Sequence, residues 1–194
     1  MKINDKYGYW ENDTTEGHGT DAGLAWGLVK FFDREQVHSI YDFGCGDGYY
    51  TRSLYDAGFH ILGYDGNPNT PKITNGLCEV ANLALPLLLK PRDWVMCLEV
   101  AEHIPEEFEK VFISNIDKNC IRGVIISWAI PGQGGDGHVN CKSNLYVDTK
   151  FRELGFSLDL DSTEFLRNSC NSYPTPCYWF SETIMIFRRD KKDV

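Results

Sequence analysis

Apolar residues fall in short runs at regular intervals along the chain: "SIYDF" from Ser39, "HILGYD" from His60, "DWVMCLE" from Asp93, "GVIISWAI" from Gly123, "FSLDLD" from Phe156 and "TIMIFRR" from Thr183. Runs of this length, rich in β-branched and aromatic residues, read as strands. The stretches between them, "YTRSLYDAG", "PEEFEKVFISNI" and "SNLYVDTKFRELG", read as helices. An earlier helix is predicted over "TDAGLAWGLVKFFD", where Leu24, Leu28, Phe31 and Phe32 share one face and Thr20 or Asp21 serves as cap. Strands alternating with helices predict an α/β fold: a doubly wound, mostly parallel sheet covered on both faces. The last two runs flank "EFLRN" and are near enough to pair antiparallel. Residues 1–19 are polar and aromatic without periodicity, and no repeat or linker divides the rest, so a single domain spanning 1–194 is expected.

In such a sheet, ligands bind beyond the carboxyl ends of the strands, where strand order reverses. That rule sets positions 42–48, 65, 98–103 and 128–138 along one rim. Composition narrows the ligand. A net charge of −9 opposes a long phosphate footprint, so nucleic acid is not the expected partner, and "RRDKKDV" at the end reads as a solvated tail. No apolar run reaches membrane-spanning length, and the first twenty residues lack the apolar stretch of a secretory signal. Seven scattered cysteines without a C-x-x-C form neither a zinc ribbon nor a disulfide framework. Reduced thiols and a cytoplasmic location are expected.

The segment "DFGCGDGYY", from Asp42, ends a strand and opens a helix with Gly44, Gly46 and Gly48 alternating with Cys45 and Asp47. Glycine is needed there for positive φ or for close approach of a ligand to the backbone. A dinucleotide fingerprint places its third glycine one position later, whereas Tyr49 stands here. The chain resembles the class I S-adenosylmethionine-dependent methyltransferases, whose first motif, acidic-x-Gly-x-Gly-x-Gly, "DFGCGDG" matches at every fixed position. "HILGYDGNP" supplies an acidic residue, Asp65, at the end of the next run, and "WVMCLEVAEHIP" is similar to the fourth-strand motif of the small-molecule branch. The resemblance runs from about residue 20 onward. It implies a seven-stranded Rossmann-like sheet with an antiparallel C-terminal hairpin strand, S-adenosyl-L-methionine as cofactor, and residues 1–19 as a lid-like segment. It further implies that Gly44, Cys45, Gly46, Gly48 and Tyr49 border the cofactor. Asp42 orients that loop or meets the ligand's ammonium. Asp65 and Gly66 hold the ribose, Asn82 and Leu83 meet the adenine, and Leu98, Glu99 and Val100 form the floor beneath the sulfonium. His18 reaches the site from the N-terminal segment.

The sulfonium is already a strong electrophile, so alignment of the acceptor matters most, and a hydroxyl acceptor also needs a base. The Asn/Asp-Pro-Pro-aromatic pattern of base-amino methylation is absent after the fourth strand. Pro176-Cys177 lies too near the C-terminus for a cytosine-type nucleophile, and no clustered cysteines support radical chemistry. The stretch "SWAIPGQGGDGHVNCKSNLY" from Ser127 is glycine-rich and ends in His138 and Asn140. His138 is the first candidate base and Asn140 the candidate orienter of the hydroxyl; His103 is the second candidate base. Alternatively, His138 caps the next helix or bonds the loop's own backbone, and His103 supports local structure. Trp10 and Trp128 suit the C–H face of a sugar ring. Asp136 and His138 alone do not make a metal set, so no metal is expected. The favoured expectation is O-methylation of a hydroxyl on a sugar or glycan. Alternatives are another small metabolite with an O- or N-acceptor, a non-catalytic cofactor-binding module, and a nicotinamide-dependent oxidoreductase, which the glycine spacing disfavours.

Overall fold

Along each central strand, alternate residues enter opposite cores. Ile40, Trp94, Met96, Leu98, Ile125 and Ile186 pack on one face of the sheet, and Tyr41, Phe43, Val95, Cys97, Val124, Ile126 and Phe187 on the other. These residues belong to a computed structural model of the protein, which describes residues 2–11, 13–15, 17–170 and 177–191. Pro176 and the last three residues of the basic tail lie outside the described residues.

Seven strands form one sheet: β1 (Ser39–Phe43), β2 (His60–Asp65), β3 (Cys78–Val80), β4 (Arg92–Leu98), β5 (Cys120–Ser127), β6 (Phe156–Leu158) and β7 (Met185–Arg189), in the order β3-β2-β1-β4-β5-β7-β6. Pairings from β3 to β5 are parallel, and β7 runs antiparallel to both β5 and β6. The α/β, doubly wound, mostly parallel sheet expected from the sequence is therefore present. The antiparallel pair at the end, however, is not a tight hairpin: two helices intervene.

The helices are α1 (Ala22–Arg34), α2 (Tyr49–Asp56), α3 (Thr70–Ile73), α4 (Glu106–Lys118), α5 (Asn144–Glu153), α6 (Leu160–Cys170) and α7 (Phe180–Thr183). Leu24, Leu28, Phe31 and Phe32 of α1, Leu54 of α2, Leu166 of α6 and Phe180 of α7 cover one face; Phe112, Ile113 and Ile116 of α4 and Val147 and Phe151 of α5 cover the other. Asp21 is the cap of α1, its carboxylate accepting the Leu24 amide at 2.7 Å, an interaction of about 1 kcal/mol. "FSLDLD" is a strand only as far as Leu158. Asp159 then accepts the Ser162 amide at 3.0 Å and turns the chain into α6, which includes the "EFLRN" segment.

Strand order reverses between β1 and β4, the place where this architecture leaves a crevice at the carboxyl edge. The loop after β1 and the turn after β4 open side by side there.

Candidate active site

A cavity of about 540 Å³ occupies that crevice. Its near wall is the loop after β1. Gly44 and Gly46 have φ of +80° and +54°, which L side chains rarely adopt. A Cβ on Gly44 would fall 2.1 Å from Val100 Cγ2, and one on Gly46 would fall 2.8 Å from His18 Nδ1. The protein's own packing thus excludes side chains here, whereas the sequence alone attributed their absence equally to a ligand. The loop's amides are largely committed as well. Gly44 and Cys45 N–H donate to the Tyr64 carbonyl at 2.7 and 3.1 Å, and Gly48 N–H donates to the Cys45 carbonyl at 2.8 Å. Gly46 N–H donates to Asp65 Oδ2 at 3.0 Å.

Asp65 therefore ties the end of β2 to the loop while facing the cavity; its other oxygen accepts the Asn67 amide at 2.8 Å. Burial pushes its carboxyl up, and those two amides oppose the shift. Asp42, at the end of β1, accepts the Thr51 hydroxyl at 2.5 Å. Burial raises its carboxyl to about 7, against that hydrogen bond and helped by the charge of Asp65. An acid so placed gains from a cationic ligand beside it.

The floor is the turn after β4. Glu99 stands at φ +54°, a conformation that costs a non-glycine residue of order 1–3 kcal/mol and recurs at functional sites. Its amide donates to Ser127 Oγ at 2.8 Å and its carboxylate accepts Gln133 Nε2 at 2.9 Å. Burial raises the Glu99 carboxyl; burial and the neighbouring charge of Glu99 raise Glu102 much further. Glu102 is wholly buried. Its backbone carbonyl accepts the amides of Val139 and Asn140, both at 2.9 Å, which fastens the glycine-rich loop after β5 against the turn after β4. This stitch brings His138 to the site. His138 Nε2 stands 3.9 Å from Glu102 Oε1, and its ring lies edge-on to His103 at 5.0 Å between centroids. Burial, with His138 close by, lowers His103 to about 4, so it is neutral near pH 7.

The roof comes from the N-terminal segment. Trp10 lies 5.1 Å from the His18 ring and meets His103 edge-on at 5.6 Å, while Gly8 packs so closely that a Cβ would reach His103 O at 1.8 Å.

Of the positions expected from the sequence, Asp42, Gly44, Cys45, Gly46, Asp65, Gly66, Asn82, Leu83, Leu98, Glu99, Val100, His18, His103 and His138 line this one cavity. Three expected positions do not: Gly48, Tyr49 and Asn140. Gly48 is the left-handed cap of α2, and a Cβ there would meet Thr74 Cγ2 at 3.0 Å; the Tyr49 amide turns back to Asp47 Oδ1 at 3.0 Å, and Tyr50 rather than Tyr49 faces the cavity. Asn140 is buried below the rim, donating to Glu109 Oε2 at 2.9 Å while its carbonyl accepts Trp128 Nε1 at 2.6 Å. Both Asn140 and Trp128 are thus framework: Trp128 is fully buried in the core beneath α4 and α5 and offers no face to a ligand. The Asn82 side-chain oxygen already accepts the Ala84 amide at 3.0 Å. The metal expectation changes too. Asp136 is exposed, but Glu102, His103 and His138 bring their ligating atoms within 4.8 Å of one another. Glu102 was missed from the sequence although it adjoins His103; only its burial marks it.

No known family profile and no curated protein sequence matches the chain. Solved structures do. The magnesium protoporphyrin IX methyltransferase of Synechocystis PCC 6803, with bound S-adenosylhomocysteine, superposes with a TM-score of 0.65 at 18% identity, over 86% of this chain and 82% of that one. This is the methyltransferase fold. The sugar N-methyltransferase KedS8 of Streptoalloteichus sp. ATCC 53650 gives 0.64 at 12% identity over 88% of each chain. The small RNA methyltransferase HEN1 gives 0.63 at 17% identity over 88% of this chain and 25% of its own length. Porphyrin, sugar nitrogen and small RNA name acceptors of three kinds on one scaffold, so the acceptor must be argued from the site and not from the fold.

Proposed function

We propose that the chain is an S-adenosylmethionine-dependent methyltransferase acting on a hydroxyl of a small, sugar-like acceptor. The observation that carries this reading is the convergence of the β1 loop, Asp65 and the Glu99–Val100 floor on one cavity at the strand-order reversal. In this reading the ribose hydroxyls donate to Asp65, the ligand's ammonium meets Asp42, and Leu83 packs beside the adenine, with Asn82 next to it. The sulfonium then lies over Glu99 and Val100, its methyl directed toward the wall of Glu102, His103 and His138. His18 and the N-terminal segment close the cofactor side as a lid.

The acceptor enters between Trp10 and that wall. An aromatic ring beside polar groups suits a sugar face, and the net charge of −9 disfavours polyanionic acceptors. The wall around His138 is the unit that handles the acceptor's proton, with Gln133 and the glycine-rich loop bordering it. The chain holds no helix, among the described residues, long and apolar enough to cross a membrane.

The test has two parts. Thermal shift with S-adenosylhomocysteine should raise Tm, and NAD should not. Labelled methyl from the cofactor should then appear in one or more of a panel of glycosides and small alcohols. No response to S-adenosylhomocysteine at millimolar concentration refutes the cofactor assignment; label appearing only in amines refutes the hydroxyl.

A further inference from the structure

Glu102 presents an unusual problem for a protein interior. Its side chain is 0% exposed, and neither carboxylate oxygen meets a donor in full hydrogen-bond geometry among the described residues; its polar neighbours are the Ala129 amide, its own amide and the Glu99 carboxyl. Buried carboxylates are stable when paired, hydrogen-bonded or bound to a metal. Among the described residues no lysine or arginine lies in the cavity wall; what faces Glu102 is the pair of imidazoles, with Glu99 beside it.

Both imidazoles are oriented by the backbone in the same way. His103 Nδ1 lies 3.2 Å from the Gly137 carbonyl, and His138 Nδ1 lies 3.2 Å from the Gln133 carbonyl. A carbonyl can only accept, so each Nδ1 carries the hydrogen and each Nε2 keeps a free lone pair. Backbone carbonyls holding Nδ1–H in this manner are the usual outer support of a metal-binding histidine. His138 Nε2 lies 3.9 Å from Glu102 Oε1, beyond hydrogen-bond range. Two ligand atoms about 2.1 Å from a common ion stand roughly 3–4 Å apart, depending on geometry. The loop is bare where that nitrogen emerges, since a Cβ on Gly135 would meet His138 Nε2 at 2.2 Å.

We infer that Glu102, His103 and His138 bind a divalent transition-metal ion whose open positions receive the acceptor's hydroxyl oxygen. Two imidazoles and a carboxylate favour Mn²⁺, Fe²⁺, Co²⁺ or Zn²⁺ over the all-oxygen preference of Ca²⁺ and Mg²⁺. Glu99, held by Gln133, supplies a second carboxylate beside the first. The role of the ion in turnover rests on the methyltransferase reading; the binding site itself does not. On the ion, the hydroxyl releases its proton to water because the metal lowers its pKa, as it does for bound water. The oxygen lone pair then forms the O–C bond to the methyl carbon as the C–S bond breaks, its electron pair returning to sulfur and leaving a neutral thioether. His138 is then a ligand rather than a free base.

The experiment uses the full chain after chelator treatment, with Mn²⁺ followed by electron paramagnetic resonance and Zn²⁺ and Co²⁺ by calorimetry. One site per chain is expected, weakened at least tenfold by Glu102→Gln and by His138→Ala, with far-UV circular dichroism confirming that both variants are folded. Failure to saturate any site with millimolar Mn²⁺, Co²⁺ and Zn²⁺ overturns the inference, as does a site that both folded variants retain unchanged. Methyl transfer should be abolished by EDTA and restored by one of these ions. Transfer unaffected by EDTA removes the ion from the reaction and leaves the cofactor reading standing. A bound ion without methyl transfer to any acceptor supports the site and refutes the methyltransferase reading instead.

Discussion

The two walls of the cavity are built on opposite terms. On the wall proposed to take the cofactor, polar groups are matched: Asp65 accepts from Gly46 and Asn67, Asp42 from Thr51, and the loop amides from β1 donate to Tyr64 and Cys45 carbonyls. Facing them, the Glu102 oxygens meet no donor in full hydrogen-bond geometry among the described residues, Glu99 occupies a left-handed conformation, and the two imidazoles turn Nδ1 to the backbone and leave Nε2 unused. A matched surface can hold its geometry before any ligand arrives. An unmatched one is stable only because the rest of the fold supports it, and it gains most from whatever binds there. In the proposed reading, the contrast separates preformed recognition on the first wall from chemistry on the second.

The strongest way to break the matched wall is Gly44→Ala. The added Cβ would meet Val100 Cγ2 at 2.1 Å at a φ of +80°, so S-adenosylhomocysteine affinity should fall more than about 100-fold, with about 1–3 kcal/mol of stability lost. Calorimetry and chemical denaturation measure the two, and Val100→Ala in the same chain should recover part of the binding.

Glu102→Gln tests the opposite wall. It keeps shape and removes charge, so turnover should fall about 100-fold or more while S-adenosylhomocysteine binds within about threefold of the original. Because burial and Glu99 raise this carboxyl in the folded chain, its ionisation destabilises the metal-free protein as pH rises above the unfolded value. The variant should therefore melt higher at pH 8, by about 2–8 °C for about 1–2 kcal/mol. A lower melting temperature would mean that the carboxylate is already paired.

Asp65→Asn should weaken S-adenosylhomocysteine by about 10–100-fold, the worth of charge-assisted hydrogen bonds to two ribose hydroxyls, with little change in the turnover of saturated enzyme. Equal losses in kcat and kcat/KM would place Asp65 in the transition state instead.

Smaller effects follow from protons. Asp42, raised to about 7, must ionise to meet an ammonium, so cofactor binding should tighten with pH by at most about tenfold per unit up to 7 and level off above it. Ligand-free stability should run the other way. The folded chain holds this proton more firmly than the unfolded one, so stability falls as pH rises from about 4 to about 7. Asp42→Asn should flatten both profiles. Least of all, Tyr49→Phe should alter binding and turnover by less than about twofold, since Tyr50 occupies the cavity wall in its place.

Most of the architecture was legible because buried strands write themselves as short apolar runs, and six of the seven were visible in that way, the antiparallel β6 and β7 included. The seventh, Cys78–Val80, has one buried residue in three, too little to stand out. Helix α6 was missed for a different reason. Its buried face includes Ser162, Thr163, Ser169 and Cys170 beside Leu166, since Gly23 and Gly27 of α1 bring the helices close enough to need small side chains there. An apolar period cannot register a face of that kind. The wall proposed to take the cofactor is built largely from one loop and the ends of neighbouring strands, so a local motif could locate it. Tyr49 was misplaced by one residue because a helix's first turn, not its sequence position, decides which ring points inward.

The sequence by itself determined the α/β scaffold, the bend after β1 and the acidic end of β2, since each depends on residues adjacent in the chain. Only the tertiary structure decided that Asn140 and Trp128 are framework and that Glu102 stands with His103 and His138. Those three meet because the Val139 and Asn140 amides bond the Glu102 carbonyl from 37 and 38 residues further along the chain, and what a buried carboxylate has beside it is a property of packing that no local pattern encodes.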